Sequence, residues 1–186
     1  MKKLIFVTVN QSKLEDSRKT LNKLGIEIVG QKIEFEEKQS LDQEEIVRDK
    51  AKQAYKKINL PLFVDDTGFY IDSYPQFPGT LTKYINKTLG IPGLVKLFKE
   101  GQTAYFKTLI CFIDKDFEIL VEGKLFGKLT KKKSKRFNPE TPINSIFIPD
   151  GYSQTLIDLT DSIGNTHRIN ALNKLYVEIQ KYVKKS

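Results

Sequence analysis

The chain has one cysteine and one histidine in 186 residues. A lone cysteine, Cys111, excludes an intrachain disulfide. Its apolar, strand-like neighbours suit a small core hydrophobe in a reducing compartment better than a nucleophile. No Cys/His cluster has zinc spacing, so a bound metal would take mainly oxygen ligands, pointing to magnesium or manganese. Long hydrophobic runs are also lacking. The N-terminal run Leu4-Ile5-Phe6-Val7 is too short for a signal-peptide core or a membrane-crossing helix and reads as a first strand. A cytoplasmic protein with no membrane partner is expected. No repeat and no low-complexity linker divides the chain. With 39% hydrophobic and 29% charged residues, residues 1–186 are expected to form a single domain, with one lobe or two, around a substantial core.

Positive charge is what the chain has in excess. A net charge of +8 points to nucleic acid or to small polyanions such as nucleotides. The densest run, Lys131-Lys132-Lys133 with Lys135 and Arg136, lacks interleaved aromatics for base stacking and reads as a solvated loop. That makes nucleic acid the weaker expectation.

Hydrophobic periodicity predicts a strand at residues 2–9, then a helix with Leu14, Leu21 and Leu24 near helical spacing and Gly25 as its stop. A second strand follows at 26–29. Ser40 with Gln43 resembles a capping box for a helix carrying Ile46, Val47, Ala51 and Ala54. Residues 62–64 read as a strand, and Asp65-Asp66-Thr67-Gly68 taken alone reads as a turn, because Asp bonds nearby backbone and Gly permits positive φ. Residues 69–71 form a further short strand, and Phe77-Pro78-Gly79 leads into helical stretches through Phe98, with Pro92 in the first turn of the second. Two long strands flank Asp114-Lys115-Asp116 as a hairpin, residues 143–149 give another strand, and a final helix lines up Ile169, Leu172, Tyr176, Ile179 and Val183. Early strand–helix alternation followed by a hairpin predicts an α/β fold with a mixed sheet.

Two helices carry positive charge at the wrong end. Lys13 falls at the start of the first, and His167 and Arg168 start the last behind Asn165 and Thr166, although the helix dipole disfavours cations there. One such case is noise, whereas two invite an anion. Helix N-termini offer unpaired N–H groups to phosphate, and Thr8 and Asn10 add polar side chains in the first loop. Lys50 lies beside the apolar stripe of the second helix, either snorkelling or facing the same anion. A triphosphate among these cations would need magnesium and carboxylates. Asp65 and Asp66 are adjacent in sequence and so should face opposite ways, and Glu34, Glu36 and Glu37 form a second acidic group.

The ordered stretches "TVNQSK" (8–13), "QKIEFEE" (31–37), "FVDDTGFY" (63–70), "FPG" (77–79), "AYFKT" (104–108), "SIFIPDGY" (145–152) and "THR" (166–168) resemble the blocks of the inosine triphosphate pyrophosphatase (HAM1-like) family across nearly the whole chain. The resemblance implies an elongated α/β fold, with a long mixed β-sheet flanked by helices and two lobes around a central cleft. It implies a magnesium-dependent hydrolase, with manganese as the alternative ion, working as a homodimer. Such an enzyme cuts purine nucleoside triphosphates outside the standard set (ITP, dITP, XTP) to the monophosphate plus pyrophosphate. By position, Thr8, Asn10, Lys13 and Lys50 match phosphate-binding residues, Glu37 and Asp66 metal ligands, and Asp66 with Lys13 the catalytic pair. Thr67 matches a hydroxyl position, Lys83 an often basic position, and His167 with Arg168 the pair that recognises the base.

The chain departs from the family where the base is read. A stretch resembling F-G-[YW]-D is here Thr141-Pro142-Ile143-Asn144, a lysine four residues before the S-H-R motif is Ser162, and the motif's serine is Thr166. Base selectivity is therefore expected to be altered, with Asn144 at the substrate. The alternative expectation is a non-catalytic nucleotide- or nucleic-acid-binding relative.

Overall fold

β1 (Lys3–Val7) sets the plan of the molecule, because successive side chains of a strand point to opposite faces. The structure is a computed structural model in which residues 3–36, 38–159, 163–164 and 166–183 are described. In chain order these form β1, α1 (Gln11–Leu21), β2 (Glu27–Gln31), α2 (Gln43–Ile58), β3 (Leu62–Ile71), β4 (Pro78–Gly79), α3 (Thr82–Thr88), α4 (Gly90–Leu94), β5 (Thr103–Ile113), β6 (Glu118–Leu129), β7 (Phe147–Pro149), α5 (Leu156–Leu159) and α6 (His167–Val183), with 3-10 turns at Asn22–Leu24 and Pro142–Ser145. The described strands make one seven-stranded sheet in the order β2-β1-β3-β5-β6-β7, with β4 beside β3. β1 runs parallel to β2 and β3, while β3–β4 and β6–β7 are antiparallel, so the sheet is mixed and flanked by helices.

The chain divides into two compact units. The first takes Met1–Thr67, Thr108–Gly123 and His167–Ser186. Here Leu4 and Phe6 of β1, Phe63 of β3, and Ile110 and Phe112 of β5 pack against Leu14 and Leu21 of α1 and Ala171, Leu172, Leu175 and Ile179 of α6. On the other face Val7, Leu62, Val64, Leu109 and Cys111 pack against Val47, Ala51 and Ala54 of α2. Cys111 is fully buried, and burial lifts its thiol to about 11, so it serves as a core hydrophobe. The second unit takes Gly68–Lys107 and Lys124–Thr166. Its core joins Phe69, Ile71, Phe106 and Phe147 of the strands to Ile91, Leu94, Leu156 and Leu159 of the short helices. The Phe69 ring lies 4.7 Å from Phe106 and edge-on to Phe147. In this unit the basic residues Lys131 to Arg136 occupy an exposed loop, with Lys133 over the Phe137 ring.

Three sequence expectations are corrected. The Asp65-Asp66-Thr67-Gly68 stretch makes no turn; β3 runs unbroken for 10 residues through both carboxylates. The cap of α2 is Asp42, whose carboxylate accepts the Glu44 N–H, while the Ser40 hydroxyl accepts from Asp42 N–H and donates to Glu45. The buried stripe of α6 includes Ala171 and Leu175 beside Leu172 and Ile179, whereas Ile169 and Tyr176 are only half-buried. Gly25, at φ +82°, closes the 3-10 turn after α1 as a left-handed cap.

α6 lies close over a bare position of the sheet. A Cβ added at Gly123 of β6 would collide with the His167 carbonyl oxygen and the Ala171 amide, both of them backbone. Backbone cannot rotate away, so only glycine lets the first turn of α6 lie this close. Gly123→Ala should therefore cost about 1–3 kcal/mol, read as a lower urea midpoint with unchanged slope. An unchanged midpoint would show that α6 can lift without loss.

Candidate active site

Strand alternation separates the two adjacent carboxylates of β3. Asp65 shares its face with Phe63 and turns toward α1 and α6, while Asp66 shares the opposite face with Val64 and turns toward α2. Each meets its own cations.

The Asp65 side chain is only 4% exposed. Its Oδ1 accepts from Lys13 Nζ at 2.8 Å and its Oδ2 from Arg168 Nε at 3.3 Å. Arg168 Nη1 also donates to Asp16 Oδ2 at 2.8 Å. Lys13 lies in the first turn of α1 and Arg168 in the first turn of α6, so one buried carboxylate answers both cations that the dipoles disfavour. Burial alone would raise the Asp65 pKa, but the charges and hydrogen bonds of Lys13 and Arg168 together outweigh it. They hold the carboxyl below the ordinary range. The loop before α1 is built around its own backbone: Asn10 Oδ1 caps the helix by accepting Lys13 N–H at 3.0 Å, and Thr8 Oγ1 accepts Asn10 N–H at 3.1 Å.

Asp66 is more open, at 17% side-chain exposure. Lys50 Nζ donates to its Oδ1 at 3.1 Å, and Gln43 Nε2 donates to both its Oδ2 and its main-chain oxygen at 3.1 Å. Gln43 and Lys50 are two helical turns apart on α2, which places them on one face. Lys50 thus ends on a carboxylate rather than in bulk water. Asp66 supplies hard oxygen donors that are accessible, and magnesium is commonly held by one or two carboxylates with substrate phosphates completing the shell. Its chemistry therefore fits that ion. Among the described residues no three His, Cys, Asp or Glu side chains converge as a protein-built cage. Glu37, the second expected ligand, lies outside the described residues, as do Ser162 and the expected cap Asn165.

His167 is nine-tenths buried at the start of α6. Its Nδ1 is 2.6 Å from Thr108 Oγ1, which is in turn 2.8 Å from Thr67 Oγ1. Burial, with the charges of Arg168 and Lys13, pushes the imidazole well below its usual pKa against the weaker pull of Asp65, so the ring is neutral.

The structure thus brings together Lys13, Asp65 and Arg168 around one carboxylate, and Lys50 and Asp66 around the other. Thr67 and His167 are joined through Thr108. In the second unit Lys83 is exposed on α3, and Asn144 is half-buried in the 3-10 turn with its N–H on the Thr141 carbonyl. Sequence reasoning missed Asp16, Gln43 and Thr108. The first two had a signal in helical spacing, Asp16 three residues after Lys13 and Gln43 seven before Lys50. Thr108 is a polar residue in an otherwise apolar strand alternation with Ile110 and Phe112.

The family model described as the Ham1 family matches residues 4–178, and the chain belongs to that family. It is 32% identical to the dITP/XTP pyrophosphatase of Thermococcus kodakarensis over 92% of this chain and 94% of that one. It is 29% identical to the inosine triphosphate pyrophosphatase of Yarrowia lipolytica, covering 98% of each. Among solved structures, the Ham1 protein of Staphylococcus aureus superposes with a TM-score of 0.80 at 22% identity, over 97% of this chain and 100% of that one. The Ham1 protein of Coxiella burnetii gives 0.77 at 20%. These two fix the fold.

Two measurements follow from the geometry. Asp65→Asn strands two cations against a buried neutral amide, and should cost about 3–5 kcal/mol in urea unfolding. Asp66→Asn, at a more exposed pair, should cost much less; equal losses would mean that Asp65 is not the buried anchor. The second concerns pH. His167 has a depressed pKa in the folded chain, so below about pH 6.5 the unfolded state binds a proton that the folded state refuses. Stability is full above that value and should fall as pH drops below it, by up to about 1.4 kcal/mol per pH unit. His167 is the sole histidine, so the urea midpoints of wild type and His167→Gln at about pH 7.5 and pH 5.5 isolate its share. A wild-type slope no steeper than the variant's would contradict a buried neutral ring.

Proposed function

We propose that this chain is a nucleoside triphosphate pyrophosphatase that hydrolyses ITP, dITP and XTP to the monophosphate plus pyrophosphate. The observation that carries the reading is the accessible Asp66 carboxylate held between Lys50 and Gln43, back to back with a buried carboxylate that fixes Lys13 and Arg168. A binding protein gains nothing from an accessible carboxylate beside phosphate-seeking lysines; a hydrolase uses it. The names of the Thermococcus and Yarrowia relatives support the same reaction.

Asp66 and Glu37 would hold magnesium, with manganese as the substitute, and the ion would neutralise phosphate charge and polarise the bond being cut. Asp66 orients a water and takes its proton at a carboxylate oxygen. A bond forms from that water oxygen to the α-phosphorus, the bond from the α-phosphorus to the α–β bridging oxygen breaks, and pyrophosphate leaves as one unit. Lys13 and Lys50 offset charge on the phosphates, with Thr8 and Asn10 in the loop that leads to Lys13. The resemblance adds Thr67 and Lys83 to the substrate residues. Lys13 can do so without leaving Asp65, because an ammonium has three N–H donors and Asp65 takes one. Arg168, with His167, donates to the 6-keto oxygen of the base; adenine offers an amino donor there, leaving both groups unpaired. By the resemblance alone, Asn144 is also a base-reading residue. With no aromatic at Thr141 to stack the ring, KM rises. The resemblance also carries a homodimer in the cytoplasm, acting as one chain-long domain. Among the described residues no helix is long and apolar enough to cross a membrane.

A panel of nucleoside triphosphates with magnesium, scored for pyrophosphate, tests this reading. ITP and XTP should be cut faster than ATP, and Asp66→Asn should lower turnover by about 10²-fold or more. Diphosphate plus orthophosphate as first products would sink the proposed bond. Retention of nucleotide or nucleic acid on a filter without any turnover would favour the binding relative instead.

A further inference from the structure

Thr108 has no place in the reaction as proposed, yet its hydroxyl is fully buried and bonded on two sides. We propose that Thr108 is a positioning residue that holds His167 as the neutral tautomer with its hydrogen on Nε2, so that the ring can only donate from that nitrogen. The inference rests on the reading of His167 as a base-facing residue and deepens it.

The argument is one of counting hydrogens. Each threonine hydroxyl has one hydrogen to give, and a neutral imidazole has one donor and one acceptor nitrogen. The chain Thr67 Oγ1, Thr108 Oγ1, His167 Nδ1 is closed by contacts of 2.8 and 2.6 Å. Run from Thr67 toward the ring, both hydroxyl hydrogens are used inside the chain, and Nδ1 accepts. Run the other way, Nδ1 donates to Thr108 and Thr108 to Thr67. The Thr67 hydrogen must then go to solvent, because in the free chain the Thr67 hydroxyl has no other side-chain partner among the described residues. The first direction satisfies every hydroxyl hydrogen from within the protein, so Nδ1 is the acceptor and Nε2 carries the hydrogen. The surroundings keep the ring neutral: burial excludes the water that would solvate an imidazolium, and the positive charges of Arg168 and Lys13 add to it against the weaker pull of Asp65. A ring locked in this state offers a donor to a keto oxygen and opposes an amino group.

The sole histidine makes the test direct, because 15N-histidine labelling gives a single ring. Two-bond proton–nitrogen correlation of the whole protein should show the hydrogen on Nε2 and a bare, hydrogen-bonded Nδ1. Thr108→Val keeps the side-chain shape without the hydroxyl. It should move the Nδ1 signal to the unbonded position or mix the tautomers, whereas Thr108→Ser should keep the wild-type pattern. With ITP and ATP as substrates, Thr108→Val should narrow the ITP-over-ATP ratio in kcat/KM by about 10-fold, through KM, with kcat changed only a few-fold. A hydrogen on Nδ1 in wild type overturns the inference, and so does a Thr108→Val spectrum that superposes on wild type. If Thr108→Val does not fold, the wild-type and Thr108→Ser spectra still decide. A shifted spectrum with an unmoved substrate ratio upholds the positioning role and overturns the base-facing role of His167. A narrowed ratio with an unshifted spectrum does the reverse.

Discussion

A carboxylate buried between two helix N-termini is the constraint around which the first unit is organised. Asp65 would be costly in that position alone, and Lys13 and Arg168 would each be mildly costly at the start of a helix. Together the three are compatible, because the carboxylate offers one oxygen to each cation. This is why α1 and α6 can bring their first turns to the same point of the sheet while their apolar faces bury Leu21, Leu172 and Leu175. Asp16 adds a second negative charge on Arg168, so the ligand-free cluster is electrically balanced, with Lys13 and Arg168 against Asp65 and Asp16. Cations held this way are already aimed and already partnered. A phosphate or keto oxygen arriving at them does not have to order two long, flexible side chains.

Much of the fold was legible because it follows from period. Helical spacing in α2 assigns the buried face of Ile46, Val47, Ala51 and Ala54 directly, and a one-turn spacing in α1 and a two-turn spacing in α2 carry the site's helical residues. The misread element shows where such reasoning stops. Asp-Asp-Thr-Gly is turn chemistry at short range, and only distant partners turn it into strand. Lys13 lies 52 residues from Asp65 and Arg168 lies 103 residues from it, and no local window contains either. The cap of α2 failed for the opposite reason, since Ser40 and Asp42 compete two residues apart and both find backbone partners.

The candidate site divides along the same line. Residue identities came from local blocks, but their pairing did not. The resemblance gives Lys13 and Lys50 to the phosphates, and the fold adds what no block shows: in the free chain Lys13 rests on Asp65 and Lys50 on Asp66. Thr108 was invisible because a threonine in a strand is unremarkable until a histidine from another element arrives beside it.

The unbroken path of β3 through both carboxylates makes chain length there more critical than residue identity. Substituting Leu62, Phe63 or Val64 by another apolar residue alters volume but leaves each carboxylate on its own side. Removing or inserting a single residue in the same stretch would turn Asp65 toward α2 and Asp66 toward α1 and α6, exchanging the buried anchor for the accessible one. Such a frame error in space would leave every functional group present in the polypeptide and none of them usable. In this chain the segment between the start of β3 and its paired aspartates is therefore a ruler, whose length sets which carboxylate is buried and which is open.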